Sequence, residues 1–318
     1  MTVLLLTEDE VRRLLTMEMA LEGVEEGLRK LALDEAQNIF RTRTQTDQVM
    51  LHVLSAAANT LGVAGYKVYA TSRAGANFQV GLYDGKSGAL LSLMRADFLG
   101  QMRTGAASGV ATRLMARPDA AEVGVFGTGK QARTQMIAVC KVRAINRVHV
   151  YSRSDERRRQ FAAEMSDVCR TLVEPVERPE AAARDKDIVI TATNSREPVL
   201  NGHWISEGTH INAVGSNFLT KAELDALTVR RCKPIVVDSK DQARLEAGDL
   251  VQALEEGAIQ WSEVRELGQI IVGRFPGRPH PHDITLFKSV GIGIEDVAVA
   301  ARVYAKAKAE HVGIDVDW

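Results

Sequence analysis

Short apolar runs separated by helical stretches fill the chain from about residue 121 onward. The runs are rich in Val, Ile and Ala, and they lie at 123–126, 147–151, 187–192, 210–214 and 235–238. Regular alternation of strands with helices is typical of a parallel, doubly wound sheet with helices on both faces. This part of the chain is therefore predicted to form a doubly wound α/β domain.

The first hundred residues carry a different pattern, in which helices come first and strands follow as a group. Leu21, Val24 and Leu28 recur at helical spacing and predict a helix near 20–35. The polar stretch RTRTQTD at 41–47 is predicted to be a loop. Four apolar runs are predicted to be strands, at 48–54, 63–70, 78–83 and 89–94. The grouping predicts an α+β domain.

Two further helices are predicted outside these groups. The small-residue sequence RTGAASGVATRLMA at 103–116 ends just before Pro118, which marks the boundary between the two parts of the chain. The segment 292–309 is predicted to be an amphipathic helix near the C-terminus.

Composition narrows the classes of protein and partner. The 318 residues carry a net charge of -1, so no basic excess points to nucleic acid or to an anionic membrane. No apolar run approaches the roughly 18 residues of a membrane-spanning helix, and the opening MTVLLLTEDE lacks the basic region of a signal peptide. Cys140, Cys169 and Cys232 are few and far apart, which fits a reducing compartment. A cytoplasmic protein without nucleic-acid or membrane partners is predicted.

The candidate chemistry begins at a glycine turn directly after the run at 123–126. The turn, Gly127-Thr128-Gly129-Lys130-Gln131-Ala132, has the pattern G-x-G-x-x-A. The first glycine allows a tight turn, the second lets a pyrophosphate approach the backbone, and the small residue at 132 lets helix and strand pack closely. Phosphates would then meet free N–H groups at the positive end of the following helix. The pattern predicts a dinucleotide site; the alternative is a glycine turn that only reverses the chain.

The next strand, 147–151, predicts which dinucleotide binds. A site for NAD has a carboxylate at the end of this strand to bind the ribose 2′-hydroxyl. Here the strand ends in Ser152-Arg153-Ser154, and an arginine with two hydroxyls suits a 2′-phosphate instead. NADP(H) is therefore the predicted cofactor, with NAD(H) left open. At least two of the three arginines at 157–159 are predicted to lie on a solvated helix face.

Two clusters of ionisable residues nearer the C-terminus are predicted to have no catalytic role. His280, His282 and Asp283 lie on a proline-rich loop that lacks the further ligands of a closed metal site, so no metal is predicted. Glu295 and Asp296 are predicted to be a helix-facing or capping pair rather than an acid/base pair.

Several longer stretches resemble the ornithine cyclodeaminase/mu-crystallin family, between about residues 43 and 305. They are GYKVYA, LYDGKSGALL, QMRTGAASGVATRLMARPDA, VGVFGTGKQARTQ, DIVITATNSREPVL, HINAVGSN, VVDSKDQARLEAGD and LFKSVGIGIEDVA. The resemblance implies a Rossmann domain that follows an N-terminal substrate and dimerisation domain, to which the C-terminal helix returns. It thus implies a homodimer with two domains per chain, 1–116 with 290–318 and 117–289.

The resemblance also implies a substrate site for an amino or imino acid. Arg43 and Arg103 would bind the substrate carboxylate, and Lys67 would act on the reacting nitrogen. The chemistry fits these residue types, because arginine binds a carboxylate through two parallel hydrogen bonds. Burial beside two guanidinium groups would also lower the pKa of Lys67 toward neutrality. The alternative for Lys67 is a surface lysine whose stem covers apolar residues.

One position departs from the family pattern. Cyclodeaminases of the family carry an aspartate after the fifth Rossmann strand, where this chain has Asn217. An amide cannot accept the proton that a catalytic base must accept, so net redox chemistry is favoured over ammonia loss. Asn217 is predicted to bind substrate. The predicted cofactor-binding residues are Thr104, Gly127, Thr128, Gly129, Gln131, Ala132, Ser152, Arg153, Ser154, Thr191, Ala192, Thr193, Val214 and Gly215.

Three functions are compatible with these residues. The predicted one is an NAD(P)H-dependent oxidoreductase that interconverts an α-imino acid, or a cyclic ketimine carboxylate, with the corresponding amino acid. The alternatives are an ammonia-lyase of the ornithine cyclodeaminase type that uses NAD catalytically, and a non-catalytic protein of the crystallin type that binds NADP and a small ligand. The side chain of the substrate stays open, because the segment 74–79 is short where relatives have a longer loop.

Overall fold

A computed structural model describes residues 2–318. The strands are β1 (Thr2–Leu6), β2 (Ala36–Gln45), β3 (Met50–Ala58), β4 (Val63–Ser72), β5 (Gly75–Asp84), β6 (Leu90–Arg95), β7 (Glu122–Phe126), β8 (Arg147–Tyr151), β9 (Leu172–Pro175), β10 (Ile188–Thr191), β11 (His210–Ala213), β12 (Cys232–Val237), β13 (Arg265–Glu266), β14 (Ile284–Lys288) and β15 (Ile314–Asp317). The helices are α1 (Glu8–Leu14), α2 (Met17–Ala32), α3 (Asp97–Met115), α4 (Lys130–Val142), α5 (Asp155–Cys169), α6 (Ala226–Arg231), α7 (Lys240–Glu246), α8 (Gly248–Glu255), α9 (Leu267–Ile271) and α10 (Gly293–Glu310).

The chain divides into two compact units. Unit 1 comprises the residues up to Arg103 together with Ile292–Trp318, and unit 2 comprises Thr104–Gly291. The division falls inside α3, whereas the predicted boundary followed this helix at 116/117. The predicted boundary was based on Pro118, because the interior of a helix carries no sequence signal for a domain boundary. The assignment of substrate and dinucleotide roles to the two domains stays a prediction.

Unit 1 is built on a sheet packed against two helices. Its described residues form seven strands in the order β15-β1-β6-β5-β4-β3-β2. Strands β2 to β6 pair with one another in antiparallel fashion, and β1 runs parallel to β6. Helix α10 packs on α2 and on β3 and β4. A Cβ atom at Gly27 of α2 would lie 3.2 Å from the Ala298 side chain, so this glycine allows the close approach of α10. The predicted α+β organisation is confirmed.

Strand β2 corrects the prediction of a loop at 41–47. The strand extends through Gln45 and pairs with β3 in antiparallel register, for example Arg43 opposite His52. It lies at the edge of the sheet, and most of its side chains are exposed. An edge strand that buries neither face carries no alternation of apolar and polar residues, so its sequence looks like a loop.

Unit 2 contains the predicted doubly wound sheet. Within the described part of the chain, eight strands follow the order β13-β12-β14-β11-β10-β7-β8-β9, and their pairings are parallel. The chain winds outward in opposite directions from β7 and β10, which makes the crevice between them the expected ligand site. Three of these strands were not predicted, namely β9, β13 and β14. Strands β9 (LVEP) and β13 (RE) lie at the two edges of the sheet and contain few apolar residues, whereas β14 (ITLFK) is a buried apolar run that the sequence analysis did not assign. Among residues 2–318, no helix has the length and apolar character to cross a membrane.

Candidate functional site

The glycine turn connects β7 to α4 in unit 2. Gly127 has φ +109, and a Cβ atom there would lie 2.4 Å from the Ala192 carbonyl oxygen. Glycine is therefore required on both counts. Gly129 precedes the first residue of α4, and a Cβ atom there would meet nothing within 4 Å. The N-terminus of α4 thus borders open space at the position where the motif expects a pyrophosphate.

A cleft of about 560 Å³ extends from this turn over the carboxyl ends of β7, β8, β10 and β11. It brings together the predicted residues Gly127, Thr128, Gly129, Gln131, Ser152, Arg153, Ser154, Ala192, Thr193, Val214 and Gly215. It is also lined by residues that were not predicted, namely Phe126, Lys130, Tyr151, Arg157, Asn194, Ser195 and Val199. Phe126 and Tyr151 are the last residues of β7 and β8, and Asn194 and Ser195 lie in the loop after β10, so considering every residue around each strand end would have identified these four.

Three predicted cofactor-binding residues lie outside the lining of this cleft. Ala132 is fully buried in the core between helices and sheet, where its small side chain permits close packing. Thr191 is also buried, and its hydroxyl donates to Glu223 over 2.9 Å. Thr104 is 8% exposed, and its carbonyl oxygen accepts from Gln135. All three residues are buried and do not line the cleft.

The end of the cleft at β8 is rich in positive charge. Arg153 and Arg157 both line it, beside the hydroxyls of Ser152 and Ser154. Ser154 also caps α5, since its hydroxyl accepts from the Arg157 N–H. Arg158 points elsewhere and donates to the Ser152 carbonyl oxygen over 2.6 Å.

Unit 1 holds a buried cluster of charges around Lys67. The Lys67 ammonium is 2.9 Å from Asp296 Oδ1, and both residues are almost completely buried. Burial lowers the pKa of Lys67 to about 8; Asp296 opposes this shift, whereas Arg103 and Arg41 add to it. A lysine with such a pKa can give and take a proton near neutral pH.

Arg103 binds the two carboxylates that begin α10. Its Nη1 donates to Glu295 over 2.8 Å and its Nε donates to Asp296 over 3.0 Å. Although burial opposes the shift, Arg103 and Lys67 hold the pKa of Asp296 below its usual value. The prediction that Glu295 and Asp296 form a helix-facing or capping pair missed this role. The sequence did contain a signal for this role. Glu295 and Asp296 lie between the apolar residues Ile294 and Val297, which indicates that they are buried, and buried carboxylates need partners.

Two more arginines lie on β2. Arg43 Nε donates to His52 Nδ1 over 3.3 Å. Arg41, which was not predicted, is 6% exposed and acts on both His52 and Lys67 through its charge. Burial, together with Arg43 and Arg41, lowers the pKa of His52 to about 4, so its imidazole is neutral at pH 7.

A wall of stacked rings continues from His52 across the sheet. The ring centroids of His52 and Tyr69 are 4.1 Å apart with an interplanar angle of 4°. The ring centroids of Tyr69 and Phe78 are 4.9 Å apart with an interplanar angle of 23°. The Lys67 ammonium lies 5.9 Å from the Tyr69 ring and 5.6 Å from the Phe78 ring. We call these three rings the aromatic wall. The wall places a flat, neutral surface beside the Lys67 ammonium.

Comparison with known proteins identifies the family. The sequence profile of the Ornithine cyclodeaminase/mu-crystallin family matches residues 1–311. The chain belongs to this family. The family resemblance inferred from the motifs is thus confirmed.

Members of the ornithine cyclodeaminase/mu-crystallin family align with the chain over nearly its whole length. Δ1-Pyrroline-2-carboxylate reductase from Thermococcus litoralis, solved in complex with NADH and L-proline, is 37% identical with a TM-score of 0.94, and covers 99% of this chain and 100% of its own. An archaeal alanine dehydrogenase dimer with bound NAD is 32% identical with a TM-score of 0.94, and covers 100% of both chains. Alanine dehydrogenase from Archaeoglobus fulgidus is 35% identical over 100% of this chain and 99% of its own. These relatives are nicotinamide-dependent oxidoreductases acting on imino or amino acids, which is the class of function predicted for this chain.

The remaining predicted residues of this family member lie apart from the Lys67 cluster in the sequence. Asn217 belongs to unit 2, in the loop after β11, and is half-buried. On the loop before β14, the His280 N–H donates to Asp283, and His282 lies 3.7 Å from Glu207. Residues 2–318 contain no group of three or more His, Cys, Asp or Glu side chains arranged to hold a metal ion.

Proposed function

We propose that this protein reduces cyclic ketimine carboxylates to the corresponding cyclic amino acids, with NADPH as the preferred reductant. The observation that carries the proposal is the buried Lys67 ammonium, placed between the carboxylate of Asp296 and the aromatic wall. Reduction of a C=N bond adds a hydride at carbon and a proton at nitrogen. The chain therefore needs a site for the reductant, a proton donor and a group that orients the substrate.

The cleft of unit 2 fits a nicotinamide dinucleotide. The open space at Gly129, the N-terminus of α4 and the hydroxyls and guanidiniums after β8 match the pyrophosphate and ribose ends of such a cofactor. The turn at 127–129 would hold the pyrophosphate, and Ser152 with Arg153 would hold the ribose. When bound, a reduced nicotinamide supplies the hydride.

The residues of unit 1 supply the proton and orient the substrate. Lys67 donates a proton to the imine nitrogen, and Asp296 keeps its ammonium group in place. Arg103 is bound to Glu295 and Asp296. Arg43 on β2 is therefore the arginine proposed to bind the substrate carboxylate, through two parallel hydrogen bonds.

The aromatic wall defines the substrate class. Neutral, flat side chains suit the methylene edge of a five- or six-membered ring, and apolar contact of this kind stabilises the ring in place. Asn217 stands where cyclodeaminases of the family carry an aspartate, and an amide cannot accept a proton as a catalytic base, so this position disfavours cyclodeaminase chemistry.

A panel of substrates tests this assignment. Cyclic ketimine carboxylates with five- and six-membered rings should be reduced with a kcat/KM roughly 10- to 200-fold above that for pyruvate with ammonia or for iminosuccinate, a range typical of apolar pockets. Phe78→Ala should lose most of this preference, whereas Phe275→Ala, on the surface of unit 2, should retain it. The measurement is the initial rate of NADPH oxidation. Formation of proline from ornithine without net change of the cofactor would contradict the reductase assignment and favour the lyase.

The preference for NADPH rests on the residues after β8. Ser152→Asp combined with Arg153→Ala removes a charge-assisted contact with a 2′-phosphate and adds a carboxylate for a 2′-hydroxyl. The ratio of kcat/KM for NADPH to that for NADH should fall by roughly 10- to 150-fold. Arg159→Ala is the control, because Arg159 is exposed and paired with Asp155. The assignment is wrong should the unmodified protein use NADH as well as NADPH.

A homodimer and a cytoplasmic location complete the proposal. The archaeal alanine dehydrogenase dimer supports the former, and Ile39 and Phe40 expose 53% and 46% of their surface on β2. Light scattering after size-exclusion chromatography measures the assembly directly. The cytoplasmic location stays a prediction from cysteine usage.

A further inference from the structure

Three charged residues of unit 2 are buried beneath the cleft, and the binding roles assigned above do not use them. Glu223, Asp249 and Lys288 expose 0%, 2% and 0% of their surfaces. Glu223 precedes α6, Asp249 lies in the first turn of α8, and Lys288 ends β14. Burying charges costs several kcal/mol per ion unless they are paired and hydrogen-bonded. Their contacts therefore indicate what the burial accomplishes.

The carboxylate of Glu223 joins two loops that line the cleft. Oε1 accepts from the Thr193 N–H over 2.6 Å, in the loop after β10. Oε2 accepts from the Gly215 N–H over 2.7 Å, in the loop after β11, and from the Thr191 hydroxyl. Thr193 and Gly215 are both lining residues. One side chain thus ties together the carboxyl ends of two neighbouring parallel strands.

Asp249 and Lys288 hold this carboxylate in position. Asp249 Oδ1 accepts from the Glu223 and Leu224 N–H groups, and Asp249 Oδ2 lies 2.8 Å from the Lys288 ammonium. Lys288 also donates to the carbonyl oxygen of Ser216 over 2.6 Å, next to Gly215. These contacts connect the loop after β10 to the loop after β11 through the three buried charged residues. A Cβ atom at Gly215 would lie 2.3 Å from the Thr193 carbonyl oxygen, so the loops are in direct contact.

The strand order indicates which part of a dinucleotide these loops face. Strand β8, with Ser152 and Arg153 at its end, lies on one side of β7, while β10 and β11 lie on the other. A dinucleotide bound across this switch point has its adenosine half toward β8. Its nicotinamide half then lies toward the loops that Glu223 joins.

We propose that Glu223 is a positioning residue, which pre-forms the nicotinamide half of the cleft by fixing the loops at Thr193 and Gly215. Asp249 supports it by accepting from its backbone N–H, and Lys288 balances the charge of Asp249. The inference rests on the proposed use of a nicotinamide cofactor, but not on the identity of the imine substrate.

Binding of two ligands to Glu223→Gln tests the proposal. An amide places N–H donors against backbone N–H groups, so one of the two loops loses its acceptor. The affinity for NADPH should fall about 10- to 100-fold. The affinity for 2′-phospho-ADP-ribose, which lacks the nicotinamide ring, should change less than about threefold, within the tenths of a kcal/mol seen for remote substitutions. Isothermal titration calorimetry measures both affinities without any turnover.

Two further variants separate positioning from a loss of stability. Glu223→Asp keeps the charge, but its side chain is too short to reach both loops. It should show the same selective loss of NADPH affinity, and it replaces Glu223→Gln in the test if that variant does not fold. Asp187→Asn changes a carboxylate just before β10 that accepts from the Ala121 and Glu122 N–H groups at the amino end of β7, and it should lower the melting temperature without changing the ratio of the two affinities. An equal loss of both ligands in the folded Glu223 variants, or no loss of either, would overturn the proposal. Should the protein bind neither ligand before substitution, the proposed cofactor itself is wrong.

Discussion

Lys67→Met is expected to lower kcat for imine reduction by about 10²- to 10⁴-fold, the usual contribution of a positioned general acid. The variant removes the proton donor and leaves the cofactor cleft of unit 2 untouched. KM should change much less than kcat, because the lost interaction acts on the nitrogen in the transition state. Steady-state kinetics with a cyclic ketimine carboxylate and NADPH measures both constants.

The pH profile distinguishes a proton donor from a structural lysine. With a pKa of about 8, Lys67 is charged below pH 8 and loses its proton above it. The rate of reduction should therefore fall as pH rises through 8, while the rate of amino-acid oxidation should rise. Lys186→Met is the matched control, since Lys186 is also buried but bonds only to nearby carbonyl oxygens in the contacts described. A Lys67→Met enzyme with an unchanged kcat and pH profile would remove the lysine from the mechanism.

Arg43→Ala is expected to lower kcat/KM by roughly 30- to 1,000-fold, mainly through KM. The reason is the loss of a charge-assisted contact with the substrate carboxylate, of order 2–4 kcal/mol. The parent enzyme should reject 1-pyrroline, the cyclic imine without a carboxylate, and Arg43→Ala should lose most of that discrimination. Arg43→Lys should recover only part of it, because an ammonium cannot form two parallel hydrogen bonds. Equal use of the two imines by the parent enzyme would show that the carboxylate is not bound as proposed.

Arg103 requires a different interpretation from Arg43. Its guanidinium already donates to two fully buried carboxylates, Glu295 and Asp296. Removing one partner of a buried ion pair costs about 3–5 kcal/mol, so Arg103→Ala loses stability as well as activity. Activity measurements on that variant should therefore be compared with its thermal unfolding, and Arg43 gives the cleaner test of carboxylate binding.

The sequence alone determined those features whose causes are local. The G-x-G-x-x-A turn is recognisable because Gly127 needs φ +109 and Ala132 must be small, and both demands come from adjacent elements. The helical spacing of Leu21, Val24 and Leu28 in α2 is likewise set by neighbouring residues. The Ser152-Arg153-Ser154 segment could be placed in the cleft because it follows a strand that pairs with β7.

Tertiary structure decided the contacts between residues that are distant in the sequence. Lys67 and Asp296 are 229 residues apart, and their pairing appears only when α10 packs on β4. The same holds for Arg103 with Glu295, and for Glu223 with Asp249 and Lys288. Strand β2 was missed because its backbone pairs with β3 while most of its side chains are exposed to solvent. A buried charge requires a partner of opposite charge or a hydrogen-bonding group, but the sequence does not show which residue that partner is. The packing of the fold determines the partner.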